Sequence, residues 1–143
     1  TGFGLAGHLL EMCQQSGVSV ELKLAAVPLL DGASQLIDGG SRSSLFEENK
    51  AAVMDCLFAA EVAAVTNLQQ HVCDSVSNSD ALQTSLRPHY EALFDPQTSG
   101  GLLLGVEPVR AEKIIGELAA AGSRDAAIVG RVTDSRKKGI TFA

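Results

Sequence analysis

The run LFDPQTSGGLLLGV, residues 93–106, most constrains the fold because it joins a polar, glycine-rich loop directly to an apolar stretch. Pro96 fixes its own φ and biases Asp95 toward an extended conformation. Gly100 and Gly101 allow a neighbouring backbone or a ligand to approach closely. Two interpretations stay open. Either the chain turns sharply into a buried strand, or hydroxyl groups and bare backbone amides are presented to a ligand, in particular an anion.

The last third of the chain predicts an α/β layer. Residues 102–106, LLLGV, are typical of a short buried strand, and Pro108 suits the first turn of the helix that follows. The apolar face of that helix is predicted at Ala111, Ile115, Leu118 and Ala119. Residues 126–133 predict another strand, and residues 139–142 its hairpin partner. This order predicts an α/β fold: a mixed sheet with helices packed on one face, in a single domain over residues 1–143.

The start of the chain predicts a helix followed by a strand. TGFGLAGHLLEMCQQSG, residues 1–17, indicates a glycine turn that enters a helix, and Gly17 is expected to end it. The predicted apolar face of this helix is Leu5, Leu9, Met12 and Cys13. In residues 18–24 apolar and polar residues alternate with period two, which predicts a half-buried strand with Ser19 on its polar side.

Capping patterns predict the helices in the middle of the chain. Asp31 is expected to cap a short helix, and capping boxes begin at Ser44 and Asp80. Pro88 is expected to interrupt the helix that starts near Asp80, because proline removes a backbone donor. Residues 89–94 would then form a separate short helix.

Composition narrows the classes of partner. The net charge of −6 and the 4% aromatic content argue against a nucleic-acid surface, although residues 136–138 are cationic. No apolar run approaches the ~20 residues that span a bilayer, so no membrane partner is expected. The 3 cysteines form no C-x-x-C pair, which favours reduced thiols and a cytoplasmic protein.

Three glycine-bearing loops are candidate anion sites: residues 1–4 (TGFG), 39–44 (GGSRSS) and 98–101 (TSGG). Successive backbone amides in such loops can bind an anion, and Arg42 could add a guanidinium fork. For residues 39–44 we favour an ordinary turn over an anion site. For residues 98–101 we favour neither the turn nor the anion site over the other. No nucleophile or metal-ligand motif is complete, so we predict no catalytic residue and no metal ligand in the chain.

Taken together, TGFGLAGHLLEM and LFDPQTSGGLLLGV resemble the C-terminal domain of selenophosphate synthetase (selenide, water dikinase). That domain belongs to the superfamily of aminoimidazole ribonucleotide synthetase. The run DPQTSGG ahead of an apolar strand is the more specific motif. The resemblance covers nearly the whole chain and is weakest over residues 44–87, where no roles are assigned. Relatives usually carry an asparagine near Ser44, which leaves any ligand contact in that loop open.

The resemblance implies an enzyme that converts selenide, ATP and water into selenophosphate, AMP and phosphate with Mg²⁺. In this family the reactive cysteine or selenocysteine, a lysine and most ATP-binding aspartates lie in an N-terminal domain, which also forms a homodimer. The family's TGFG follows an aspartate that helps to hold magnesium. We therefore expect that an N-terminal domain belongs ahead of Thr1, and that the present chain is inactive alone.

The resemblance also carries over site residues. The wall beside the magnesium site corresponds to Thr1, Gly2, Phe3 and Gly4. The second glycine loop, expected near the interdomain cleft with ATP, corresponds to Thr98, Ser99, Gly100 and Gly101. Two alternatives stay open: another member of the superfamily, of the aminoimidazole ribonucleotide synthetase or hydrogenase-maturation type, and a non-catalytic anion-binding or interaction module. The DPQTSGG run argues against the first.

Overall fold

The computed structural model describes residues 2–54, 78–97, 99–134 and 139–143, with the backbone alone described at 78–84. The helices and strands in these ranges, with a short 3₁₀ turn at Leu24–Ala26 after the first strand, are α1 (Gly4–Ser16), β1 (Ser19–Leu22), α2 (Ala33–Asp38), α3 (Phe46–Val53), α4 (Asn78–Ala92), α5 (Pro108–Ala120), β2 (Gly130–Thr133) and β3 (Ile140–Phe142). None of the helices in the described part of the chain is long and apolar enough to cross a membrane.

The sheet has 3 strands in the order β2-β1-β3. β1 pairs antiparallel with β2 through Val20 and Val132, and parallel with β3 through Val20 and Ile140. The predicted α/β class with a mixed sheet is therefore confirmed. The predicted hairpin between residues 126–133 and 139–142 is wrong, because β2 and β3 lie on opposite sides of β1. β2 and β3 each pair with the backbone hydrogen-bonding groups along one edge of β1. In this arrangement Ile140 of β3 is completely buried (0% exposed).

The core lies between α1, α3, α4 and the sheet. Its aromatic centre has Phe94 in edge-to-face contact with Phe46 and with Tyr90, and Tyr90 in turn contacts Phe142. Such tilted pairs are the favoured geometry for aromatic rings and add to the free energy gained by burial. Phe94 is fully buried, so the segment that leads into the DPQTSGG loop is anchored in the centre of the core.

The first helix and strand follow the prediction with two corrections. α1 ends at Gly17, which has the left-handed φ of 66°. Met12, predicted on the apolar face, is 40% exposed, and Leu10 is buried instead. Ser19, predicted on the polar side of β1, is 2% exposed. Its hydroxyl accepts a hydrogen bond from the backbone N–H of Gly139 at 3.4 Å, which compensates for the burial of a polar atom.

The predicted caps and the predicted break at Pro88 are wrong. The N-cap of α2 is Gly32 and not Asp31, and α3 begins after Leu45 with no side-chain cap from Ser44. α4 already includes Asp80, so this residue does not precede the helix, and α4 continues through Pro88 to Ala92. Pro88 is buried, and α4 packs against α2 and the 3₁₀ turn. The tertiary packing of α4 therefore outweighs the lost backbone hydrogen bond.

The predicted strand at residues 102–106 is also wrong. Leu102 is 91% exposed and Leu104 59% exposed, and only Leu103 of this apolar run packs against the core. An extended segment becomes a strand only when another backbone pairs with it, and no described residue does so here. α5 begins at Pro108 as predicted. Of its predicted apolar face, Ala119 is exposed, while the half-buried members are Ala111, Ile115 and Leu118.

Candidate functional site

The two segments that carry the sequence motifs meet in the structure. Gly4, the first residue of α1, has a φ of +72°, and a Cβ atom at this position would lie 2.5 Å from the carbonyl oxygen of Leu93. Ala6 donates its backbone N–H to the same oxygen at 2.9 Å. The start of α1 is therefore in backbone contact with residues 93–94, directly before the DPQTSGG loop. Only glycine leaves room for this contact.

Asn49 joins the same two segments from a third direction. Its side-chain amide nitrogen donates to the carbonyl oxygen of Gly2 at 2.6 Å and to that of Phe94 at 2.9 Å. Both partners are acceptors, so the nitrogen and not the oxygen of the amide must face them. Asn49 is 8% exposed, and α3 places it on the same face as Phe46 and Val53. The amide therefore ties α3 to both motif segments.

Sequence reasoning missed Asn49, because the region that contains it carried no assigned role. A signal was present. Phe46, Asn49 and Val53 are spaced as a buried helical stripe, and a polar residue on such a stripe needs an internal hydrogen-bond partner. The position of a buried amide could thus be predicted, but the identity of its partners could not.

The loop at residues 39–44 uses its arginine internally. The guanidinium of Arg42 donates to the carbonyl oxygens of Ile37 and Ser41, both at 2.7 Å, and forms an ion pair with Glu91 of α4. It also lies over the ring of Phe46, 5.3 Å from its centroid. These contacts favour the interpretation as a turn, because both terminal nitrogens of the guanidinium already contact oxygen atoms of the protein.

The electrostatics around Arg42 connect this loop to the DPQTSGG loop. Burial lowers the pKa of Arg42, and the positive charge of Arg87 lowers it further, while nearby carboxylates that include Asp95 act in the opposite direction. Arg87 forms an ion pair with Asp38 at 2.8 Å. Asp95, the first residue of the DPQTSGG run, is half-buried.

The glycine loop after Pro96 is exposed. Ser99, Gly100 and Gly101 are all exposed, and neither glycine has a positive φ. Among the described residues, a Cβ atom at Gly101 would meet nothing within 4 Å, and one at Gly100 would meet only the side chain of Gln97, with its oxygen at 3.0 Å. The fold of the described residues thus does not require glycine at these two positions, in contrast to Gly4.

The predicted site residues are therefore only partly brought together. Gly4 lies against residues 93–94, Gly2 is joined to Phe94 through the amide of Asn49, and Phe3 is 54% exposed. Thr1 and Thr98 lie outside the described residues, as do residues 136–138. Among the residues that the structure describes, no group of three or more His, Cys, Asp or Glu could hold a metal ion. What this surface offers chemically is main-chain amides and the hydroxyl of Ser99.

Comparison with known proteins gives a family match over the whole chain. The family described as "AIR synthase related protein, C-terminal domain" matches residues 1–143. The chain is 33% identical over 141 residues to "Selenide, water dikinase" of Clostridioides difficile, covering 99% of this chain and 34% of that protein. It is 33% identical over 143 residues to the protein of the same name from Geobacter metallireducens, covering 100% of this chain and 35% of that protein. The relative from Aeromonas hydrophila is 36% identical over 122 residues. The chain thus spans about a third of the length of the curated relatives that it matches.

Proposed function

Because the chain belongs to the AIR synthase related proteins as their C-terminal domain, we propose that it is the C-terminal domain of a selenide, water dikinase. In this proposal it completes an active-site cleft with an N-terminal domain of the same polypeptide. The whole enzyme makes selenophosphate, AMP and phosphate from selenide, ATP and water. The observation that carries the proposal is the contact between the TGFG and LFDP segments, which puts both family motifs at one place.

The hydrogen-bond donors of this chain support a proposal in which each of the two domains supplies different groups to the active site. Phosphoryl transfer from ATP needs cations to neutralise charge on the phosphates, and it also needs positioned neutral donors. The exposed amides at Gly100 and Gly101 and the hydroxyl of Ser99 fit the second need. Among the described residues, no group of acidic side chains could hold the metal cations. We therefore place the magnesium ligands and the nucleophile in the N-terminal domain and derive no step through the metal.

Three further properties belong to the same proposal. The N-terminal domain forms a homodimer, so dimerisation does not require the surface described here. The enzyme acts in the cytoplasm, where thiols stay reduced, and the buried free thiol of Cys13 is compatible with that location. Neither a nucleic acid nor a membrane is a partner, in keeping with the net charge of −6.

The test is a comparison of the complete polypeptide with the isolated chain. The complete polypeptide is expected to release AMP from ATP only when both selenide and Mg²⁺ are present, with selenophosphate visible by ³¹P NMR. The isolated chain is expected to release none. ATP turnover by the isolated chain, or AMP release that does not depend on selenide, would contradict the proposal.

A non-catalytic anion-binding module is the second candidate, and the exposure of the glycine loop favours it. Calorimetric titration of the isolated chain with ATP and with inorganic phosphate, each with and without Mg²⁺, separates the two functions. The proposed enzyme domain is expected to bind neither anion at micromolar concentration by itself. Micromolar binding by the isolated chain would favour the module.

A further inference from the structure

The Gly2 and Phe94 carbonyl groups converge on one side chain although they are distant in sequence. Asn49 lies 47 residues from Gly2 and 45 residues from Phe94. Gly2 belongs to the TGFG segment, and Phe94 is the residue before the DPQTSGG loop. The two carbonyl groups would otherwise repel each other, and the buried carbonyl group of Phe94 in particular needs a donor from the protein, while that of Gly2 is part-buried.

A primary amide meets this requirement in a way that other side chains cannot. Its nitrogen carries two N–H donors on one neutral atom, so it can serve two acceptors at a buried position without burying a charge. An ionised aspartate of the same shape has no donor, a serine has only one, and a lysine would place a charge beside the core. The contacts therefore require a primary amide, and not polarity in general.

We infer that Asn49 is a positioning residue, which sets the spacing between the TGFG segment and the entrance to the DPQTSGG loop. The backbone contact at Gly4 brings the two segments together, and the amide of Asn49 holds their carbonyl groups in register. The functional consequence rests on the proposed function, since it is the shared cleft that would depend on this spacing. The coupling of the segments does not rest on it.

The coupling is tested by amide hydrogen exchange in the complete polypeptide. In Asn49→Asp and Asn49→Leu, the protection of the Ala6 N–H, which is bonded to Leu93, is expected to fall about tenfold relative to that of Val20 in the sheet. The exposed neighbour Glu48→Gln on the same helix is the matched control and should change neither amide. If Ala6 and Val20 lose protection equally in the Asn49 variants, Asn49 only stabilises the fold, and the inference is wrong.

The pH dependence separates hydrogen bonding from packing. A protonated aspartate at position 49 recovers one O–H donor, so the Ala6 protection factor in Asn49→Asp is expected to rise again as the pH is lowered. Leucine has no titrating group, so Asn49→Leu should show no such recovery. An equal pH response in the two variants would overturn the role assigned to the amide donors.

Catalysis provides the final readout, and Asn49→Gln is the sharpest variant for it. Glutamine keeps both donors but lengthens the side chain by one methylene, so it alters the spacing while the carbonyl groups stay satisfied. We expect kcat/KM for ATP to fall about tenfold, with a proportionally smaller change in melting temperature, since a misplacement of about 1 Å is costly in catalysis. Unchanged kcat and KM would refute the positioning role. If the wild-type polypeptide forms no selenophosphate, the proposed function fails, and the exchange experiment still decides the coupling.

Discussion

At the scale of single residues, the glycines of the two motifs have different physical reasons for being glycine. Gly4 is buried, has a left-handed φ and lies against the carbonyl group of Leu93. Gly100 and Gly101 are exposed and have no comparable steric demand within the described structure. Glycine at Gly100 and Gly101 would instead allow a ligand or a partner to approach the backbone closely. Substitution of Gly4 is therefore expected to reduce stability, whereas substitution of Gly100 or Gly101 is expected to affect binding or turnover.

Gly4→Ala is expected to destabilise the chain strongly. The new Cβ would lie 2.5 Å from the Leu93 oxygen, and φ is +72°, which non-glycine residues rarely adopt. Together these penalties should lower the free energy of unfolding by about 2–4 kcal/mol, measured by urea denaturation. Gly101→Ala is the control and should change it by less than about 0.5 kcal/mol. Similar losses in both variants would contradict the steric distinction.

Gly100→Val in the complete polypeptide is expected to lower turnover more than it lowers the melting temperature. Among the described residues, a Cβ atom at this position meets only the side chain of Gln97, so we expect the fold to tolerate the substitution. Its bulk would nevertheless block a ligand that approaches the loop backbone. Selenide-dependent AMP release and thermal unfolding are measured on the same preparation. Equal proportional losses would indicate a loop with a purely structural role.

At the scale of elements, α4 organises the region around the candidate site. It continues through Pro88, supplies Tyr90 to the aromatic core, and carries Glu91, which pairs with Arg42 of the 39–44 loop. One helix therefore connects this loop to the segment that enters DPQTSGG. Glu91 is buried while the Arg42 side chain is 25% exposed, so removal of the cation would leave a buried carboxylate without its partner.

Arg42→Leu is expected to cost about 3 kcal/mol in the free energy of unfolding at neutral pH, because it leaves the carboxylate of Glu91 buried without its cation. The double variant Arg42→Leu, Glu91→Leu should recover much of this loss, since no unpaired charge remains. Urea denaturation of the two variants gives the comparison.

The stability difference between Arg42→Leu and the double variant is expected to depend on pH, because the carboxylate of Glu91 can be protonated. Protonation of the unpaired Glu91 removes the penalty of a buried charge. The stability deficit of Arg42→Leu against the double variant should therefore be greatest at neutral pH and shrink as the pH falls toward about 4, the usual range of a glutamic acid. A deficit that stays constant over this range would show that the loss arises from packing and not from the ion pair.

At the scale of the whole molecule, the relatives of this chain are about three times its length. The chain covers 34% of the Clostridioides difficile protein. Leu102, Leu104 and Val109 are exposed on the described surface, directly after the glycine loop. The candidate site provides uncharged donors and, within the described residues, no metal-binding cluster. These features agree with a domain that contributes one part of a larger active site, as we propose.

Local sequence determined those features of this protein that depend on local backbone preference or on a short motif. Gly17 ends α1 because glycine adopts the left-handed conformation cheaply, and Pro108 begins α5 because the first turn does not need its N–H. The α/β class followed from hydrophobic periodicity, and the DPQTSGG run indicated the family.

The tertiary structure alone decided the features that depend on distant partners. β1 pairs with strands more than a hundred residues away, α4 passes through Pro88, and residues 102–106 do not form a strand despite their composition. Asn49 acquires its role only when two distant carbonyl groups converge on it. Periodicity and propensity report what a segment prefers by itself. The partner that satisfies each backbone edge or buried polar atom is chosen by packing across the whole chain.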